Sequence, residues 1–347
     1  MRLRTLLATL TAGLTAATTL TVAVPAHAGD SRTARACSPA VSIAGFSDVL
    51  DKTTYDGTYV GNFSGLAVDR DGSLVAVSDR SALFTLDRQT LRPTGVVPLA
   101  DGGGAALDSE GLVVDRDGAR LISDETKPAV RRHARDGRVL DELPVPDGLR
   151  VAPAGRATPN GTFEGLTMLP GGRTLLASME YALSGDSGDI VRFQTWQRQG
   201  TKRGGQFRLS AQYAYRTDPG LGVPEVTATP DGRLLVLERG FTAGVGNTVR
   251  LYLADPKHAT DTSGIDTLTG QRGVRLIRKS LLADLVDCPS LGATAKQPQP
   301  NPLLDNIEAM TVTGSTKGRL NVLLASDDNQ NAAQTTRFYA LRVRTGR

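Results

Sequence analysis

The sequence predicts an all-β chain folded as a β-propeller of five visible four-stranded blades, with room for a sixth. Three observations carry this: one hairpin unit recurs five times, strand-like sequence follows each copy, and the intervals approach a propeller repeat. The clearest copy is residues 162–180, TFEGLTMLPGGRTLLASME, two short apolar runs joined by Pro170-Gly171-Gly172. Apolar runs of that length around such a turn specify a β-hairpin. Antiparallel strands return to the edge they left, so Glu164 and Glu180 belong at one end of it.

The other copies are residues 63–80, 109–126, 223–240 and 306–329, the last with a longer turn. Asp71-Gly72, Asp117-Gly118 and Asp231-Gly232 supply turns of the same kind. Four copies open with an acid, Glu110, Glu164, Glu225 and Glu308, and the first has Ser64 there. All five close on polar residues: Asp79, then Asp124 and Glu125, Glu180, Glu238, and Asp327 with Asp328. Taking Gly65, Gly111, Gly165, Val226 and Ala309 as equivalent, the intervals are 46, 54, 61 and 83 residues. A β-sandwich would not repeat one internal grammar five times, so the propeller is preferred.

In chain order, residues 41–49 read as a strand ahead of the first hairpin. Further strands are expected at 81–86 and 94–99, 129–134 and 138–143, 189–196 and 206–216, and 248–254 and 274–279. After the fifth hairpin only 335–344 remains, so that blade lacks an outer strand. Residues 41–49 can supply it, closing the ring with both chain ends and protecting its edges. Residues 281–286 read as a short helix and 296–302 as a Pro-rich loop. The long last interval therefore holds either insertions or a sixth blade.

Residues 1–28 have a charged start at Arg2 and Arg4, an apolar run of small residues and the close Ala26-His27-Ala28. That is the pattern of a cleaved signal peptide. Residues 29–40 follow as a flexible arm, and 41–347 form one domain. The expected protein is secreted and monomeric, without a membrane span. The mature chain keeps about 319 residues, ample for a large core, and its formal charge drops from +4 to about +2. No basic run with interleaved aromatics occurs, so nucleic acid is not an expected partner. Cys37 and Cys288 are the two cysteines. In an oxidising compartment one disulfide is the natural pairing, with two free buried thiols as the alternative.

Innermost strands line a propeller's channel, so Glu110, Glu164, Glu225 and Glu308 should converge on one mouth with the closing acids beside them. Crowded carboxylates need either a proton or a cation between them. Oxygen ligands suit Ca²⁺, and the candidate metal ligands are Glu110, Glu164, Glu308, Asp124 and Asp327, with Asn306 as helper. Each acid alone could equally cap a turn or pair with Arg80 or Arg239; the repeated register favours the shared site. Zinc and copper are disfavoured, since His133 and His258 are the mature chain's only histidines. Lys127, Arg131 and His133 form a basic group beside the second hairpin that could hold a phosphate, although a solvated strand explains them as well. No Gly-x-Ser-x-Gly elbow occurs, and the glycines at 102–104 precede a hairpin rather than a helix, so neither a serine hydrolase nor a P-loop is indicated.

Asp124-Glu125, Phe163-Glu164-Gly165-Leu166 with Ser178-Met179-Glu180, and Asn306-Ile307-Glu308-Ala309-Met310 with Ser326-Asp327-Asp328-Asn329 resemble the exported phytase-like proteins, described as carrying an esterase-like activity of phytase. The resemblance spans about residues 41–345 and is loosest in the fourth repeat. It implies hydrolysis of phosphate esters at Glu110, Asp124, Glu125, Glu164, Glu180, Glu308 and Asp327, with Ser64 as a departure from the pattern. The expectation is a secreted Ca²⁺-dependent phosphoesterase with Glu164, Glu308 and Asp124 as catalytic groups. The rivals are a Ca²⁺-dependent lactonase or carboxylesterase and a non-catalytic binding propeller with a structural Ca²⁺.

Overall fold

The computed structural model describes residues 35–200, 205–316 and 318–346. The expected signal peptide and residues 29–34 of the arm lie outside the described residues. The first strand is β1 (Val41–Ser47), and β2 (Thr53–Tyr55) pairs with β3 (Thr58–Val60) as a small hairpin that the sequence did not announce. Blade one is β4 (Phe63–Val68), β5 (Leu74–Ser78), β6 (Ala82–Leu86) and β7 (Pro93–Pro98). Blade two is β8 (Ser109–Val114), β9 (Arg120–Asp124), β10 (Ala129–His133) and β11 (Val139–Glu142). Blade three is β12 (Phe163–Met168), β13 (Thr174–Met179), β14 (Ile190–Arg198) and β15 (Phe207–Arg216). Blade four is β16 (Gly222–Ala228), β17 (Leu234–Thr242), β18 (Gly246–Asp255) and β19 (Arg278–Asp284). Blade five is β20 (Ile307–Thr316), β21 (Arg319–Ser326) and β22 (Phe338–Arg344), completed by β1.

The protein is thus a five-bladed propeller, and its ring closes where β1 pairs antiparallel with β22, from Val41 opposite Val343 to Ser47 opposite Phe338. The inner strands β4, β8, β12, β16 and β20 each pack against the next, and β20 returns to β4. In the first three blades this close approach requires glycine. A Cβ on Gly111 would lie 2.5 Å from the Glu164 carbonyl oxygen, and one on Gly165 would lie 2.4 Å from the Val226 nitrogen.

Between blades the pleats interdigitate as an apolar core. Phe63 meets Phe84 and Phe338 with ring centroids 5.8 and 5.7 Å apart, where blade one packs on blade five. Phe163 meets Trp196 at 5.7 Å, and the Trp196 indole N–H donates to the Pro144 carbonyl at 2.7 Å. Cys37 and Cys288 form the disulfide, and both lie in the core shared by blades four and five. Cross-linking residues 251 positions apart stabilises by about 5 kcal/mol in the chain-entropy model.

One expectation needs correction. Residues 281–286 are not a helix: β19 runs through Asp284 as the outer strand of blade four, and only the 3-10 turn Leu285–Asp287 follows. The longest interval therefore holds one blade with long loops, and no sixth blade exists among the described residues. No helix among them is long and apolar enough to cross a membrane.

Candidate active site

The five inner hairpins share one register. Leu66 pairs with Ala76, Leu112 with Ile122, Leu166 with Ala177, Val226 with Val236, and Met310 with Leu324. Two residues before these positions stand Ser64, Glu110, Glu164, Pro224 and Glu308. Three residues past their partners stand Asp79, Glu125, Glu180, Arg239 and Asp327. The backbone fixes this second row: Asp79, Glu125, Glu180 and Asp327 donate their N–H groups to the carbonyls of Asn62, Asp108, Thr162 and Asn306 at 2.8–3.1 Å. Arg239 stands opposite Gly222 in the equivalent pair. Four blades thus present acids at the axis, and the fourth presents Pro224 and Arg239.

Apart from Pro224, every member of both rows lines one cavity of about 230 Å³, joined by Arg80, Asp108, Asn160 and Asn329. All of these lining residues are polar; eight are carboxylates and two are arginines. Single oxygens of Asp108, Glu110 and Glu125 lie within 4.8 Å of one another, and so do those of Glu125, Glu164 and Glu180. The Arg239 guanidinium lies 2.9 Å from Glu308 and 3.4 Å from Glu180. The Asn306 amide donates to Glu308 at 3.1 Å and to Asp327 at 3.3 Å.

Burial disfavours ionisation of seven carboxylates here. It pushes Asp79 up to about 7, aided by Asp327, and Glu125 up to about 7, aided by Glu180 and Asp108. Glu308 reaches about 7 through burial, although Arg239 pulls the other way. Glu110 and Glu164 are held well above the usual carboxylate range by burial and by their acidic neighbours, as is Asp327 beside Glu308. Burial also raises Glu180, against the pull of Arg239. At Arg239 burial works against the charge, but Glu308 and Glu180 keep it protonated.

The structure brings Glu110, Glu125, Glu164, Glu180, Glu308 and Asp327 together and leaves other expected residues outside. Asp124 precedes Glu125 by one residue, so it faces into the blade and pairs with Arg131. Arg131 is spent on Asp124 and Glu142, the latter at 2.8 Å. His133 is buried with its Nδ1 2.9 Å from the Gly137 carbonyl oxygen, and Lys127 reaches Asp101 at 3.3 Å. None of Asp124, Lys127, Arg131 and His133 lines the cavity. Glu225 is one residue out of the acid row: it occupies the place of Gly65, Gly111, Gly165 and Ala309. Its carboxylate instead accepts the backbone N–H groups of Val226 at 2.9 Å and Leu166 at 3.2 Å, joining two blades.

Asp108, Asn160 and Asn329 were not anticipated, and Arg239 was expected only as a partner for an acid. Counting back eight residues from the turn glycines Gly72, Gly118, Gly172 and Gly232 gives Ser64, Glu110, Glu164 and Pro224. That count carries the register and exposes the odd fourth blade.

The donor set fits a hard divalent cation. It is all oxygen, it is crowded with like charge, and the Ser64 hydroxyl and one Asp79 oxygen are buried there without a hydrogen-bond partner.

The sequence profile of the phytase-like family, described as esterase-like activity of phytase, matches residues 58–330. An uncharacterized secreted protein of Arthroderma benhamiae is 32% identical over 120 residues, covering 27% of this chain and 23% of that protein. The match thus spans less than a quarter of that curated relative. Among solved structures, a gluconolactonase of Xanthomonas campestris superposes with a TM-score of 0.42 at 16% identity, covering 82% of this chain and 73% of the other. A streptogramin B lyase does so with a TM-score of 0.39 at 12% identity, covering 86% and 97%.

Proposed function

Because the chain belongs to the phytase-like family, we propose that it is a hydrolase of phosphate esters working at the acidic mouth of the propeller. The observation that carries this reading is a wholly polar cavity in which clustered carboxylates are joined by Arg80 and by Arg239, the latter paired with Glu180 and Glu308. A lactone or carboxylic ester calls for apolar lining, and no apolar side chain lines the cavity among the described residues. The disulfide and a relative described as secreted support an extracellular protein, in keeping with the signal-peptide pattern of residues 1–28.

Glu125, Glu164 and Glu180 would hold the cation, with Ca²⁺ the best match to their oxygens. When bound, it supplies positive charge for the ester oxygens and Lewis acidity for the attacking water. Arg239 presents a planar fork of donors to a phosphate. Its Nε is buried without a partner, so a donor remains free. Glu308 is held between Asn306 and Arg239 and titrates at about 7, which suits a group that takes and returns a proton near neutrality.

The test is turnover of a generic phosphate monoester and of a lactone, each with calcium or chelator, by wild type and Glu164→Gln. Phosphate release that chelator abolishes and Glu164→Gln lowers at least 100-fold is expected. Lactone turnover without phosphate release would overturn the reading, and so would wild-type phosphatase activity in Glu164→Gln.

A further inference from the structure

The two carboxylate groups at the mouth are not separate: Asp108, Glu110 and Glu125 form one, Glu125, Glu164 and Glu180 the other, and Glu125 belongs to both. We infer that the mouth holds two divalent cations side by side, the second among Asp108, Glu110 and Glu125, with Glu125 bridging the pair. This rests on the reading of the mouth as a cation site and deepens it.

Charge argues for two ions. With every acid ionised to bind metal, eight carboxylates against two arginines leave an excess of six negative charges in the cavity. One divalent cation lowers that excess only to four, and two lower it to two. Arg239 cannot serve the Asp108 side, because it is engaged with Glu180 and Glu308.

Donor supply argues the same way. A Ca²⁺ takes six to eight oxygens, about what three carboxylates and a few waters or substrate oxygens provide. The five acids of the two groups carry enough oxygens for two ions and more than one can use. A second, independent observation marks the Asp108 side. Ser64 takes the acid-row place in blade one, beside Glu110 of blade two. It is 2% exposed, lines the cavity, and its hydroxyl has no hydrogen-bond partner. Asp79, from the same blade, has one oxygen with no hydrogen bond, its ion-pair partner being the Arg80 Nε at 3.6 Å. Leaving a buried hydroxyl unsatisfied is costly, and an ion on this side of the mouth gives Ser64 a partner.

Blade two holds the second ion through Asp108 and Glu125, whose backbones are hydrogen-bonded at 3.0 Å, and through Glu110 two residues beyond Asp108. Blade three holds the first through Glu164 and Glu180. A pair of ions about 4 Å apart suits displacement at phosphorus, where the attacking and leaving oxygens both carry charge. The substrate class that follows is a phosphate ester small enough for its phosphate to enter a cavity of about 230 Å³.

The experiment is calorimetric titration of the metal-depleted full chain with calcium chloride, repeated with magnesium chloride. Wild type is expected to bind two calcium ions. Asp108→Asn and Glu164→Gln should each bind one, the double variant none, and Glu125→Gln should weaken both sites at least tenfold. Circular dichroism checks that each variant is folded; should Glu125→Gln fail to fold, the two single variants and their combination decide the matter. A stoichiometry of one in wild type that Asp108→Asn leaves unchanged overturns the second site and leaves the proposed function standing. No calcium or magnesium binding at all overturns both.

Discussion

Acids gather at two places in this propeller, and they meet opposite fates. On blade four, Glu238 accepts from Tyr215 at 2.6 Å and Lys279 at 2.5 Å, and Asp218 accepts from Lys279 at 2.9 Å and from Arg250 and Tyr252 at 2.5 Å. Burial opposes the Asp218 charge, yet those donors bring it down to about 2. At the axial mouth the carboxylates outnumber the arginines by four to one, and burial and mutual repulsion push them up. Glu238 and Arg239 are chain neighbours pointing to opposite faces, one into each environment. A network whose charges are matched holds the fold; a cluster left unmatched is free to bind something.

The comparison makes predictions of opposite sign. Lys279→Met strands Glu238, fully buried, without its cation and should cost about 3–5 kcal/mol in urea unfolding. Glu164→Gln in metal-free protein replaces a buried acid, whose ionisation its neighbours oppose, with a neutral amide and should raise stability by about 1 kcal/mol above neutral pH. If both changes destabilise equally, the two regions do not differ as described.

The pH dependence separates the regions next. Asp79, Glu125 and Glu308 titrate at about 7 in the folded chain, above ordinary carboxylate values of 3.8 for Asp and 4.5 for Glu. Raised carboxylates favour the folded state while protonated, so that contribution is complete at acid pH and is lost as pH climbs from about 4 through about 7. Metal-free protein should therefore drop in Tm by on the order of 5 °C over that window. Asp218 acts in the other direction, since its stabilisation is present above 3.8 and disappears as pH falls through about 2. A metal-free Tm that rises from pH 5 to 7.5 would contradict the crowded mouth.

Within blade two, Asp124→Asn should cost about 1–3 kcal/mol, because Arg131 loses a buried partner. Its calcium affinity should stay within threefold of wild type by calorimetry, as Asp124 faces away from the cavity. Arg239→Met should raise KM for a phosphate ester about tenfold, or about 1.4 kcal/mol, with calcium affinity not weakened. Kinetics and calorimetry on one preparation read both quantities.

The fold was largely legible in the sequence because hairpin turns and alternating apolar residues repeat with the blades. Ring closure could be read from the missing outer strand after residues 335–344. The misread segment at 281–286 shows the limit: Leu281, Leu282 and Leu285 mimic one face of a helix, and only pairing with β18 makes their segment an edge strand. At the site, Glu110, Glu164, Glu180 and Glu308 stood out by position, whereas Asp124 and Glu125 differ only by face. That choice depends on register, and a slip of one residue also placed Glu225 in the wrong row. Asp108 lies upstream of its hairpin, where no periodicity singles it out.

The most direct test of the claim that this mouth gathers a hard cation is a thermal melt at pH 7.5 of chelator-stripped protein, titrated with calcium. Binding to the folded state alone stabilises by about 2.7 kcal/mol at a hundredfold excess over Kd, so Tm should climb steadily with calcium and fall back on adding chelator. A melting curve that neither calcium nor chelator moves would contradict the claim.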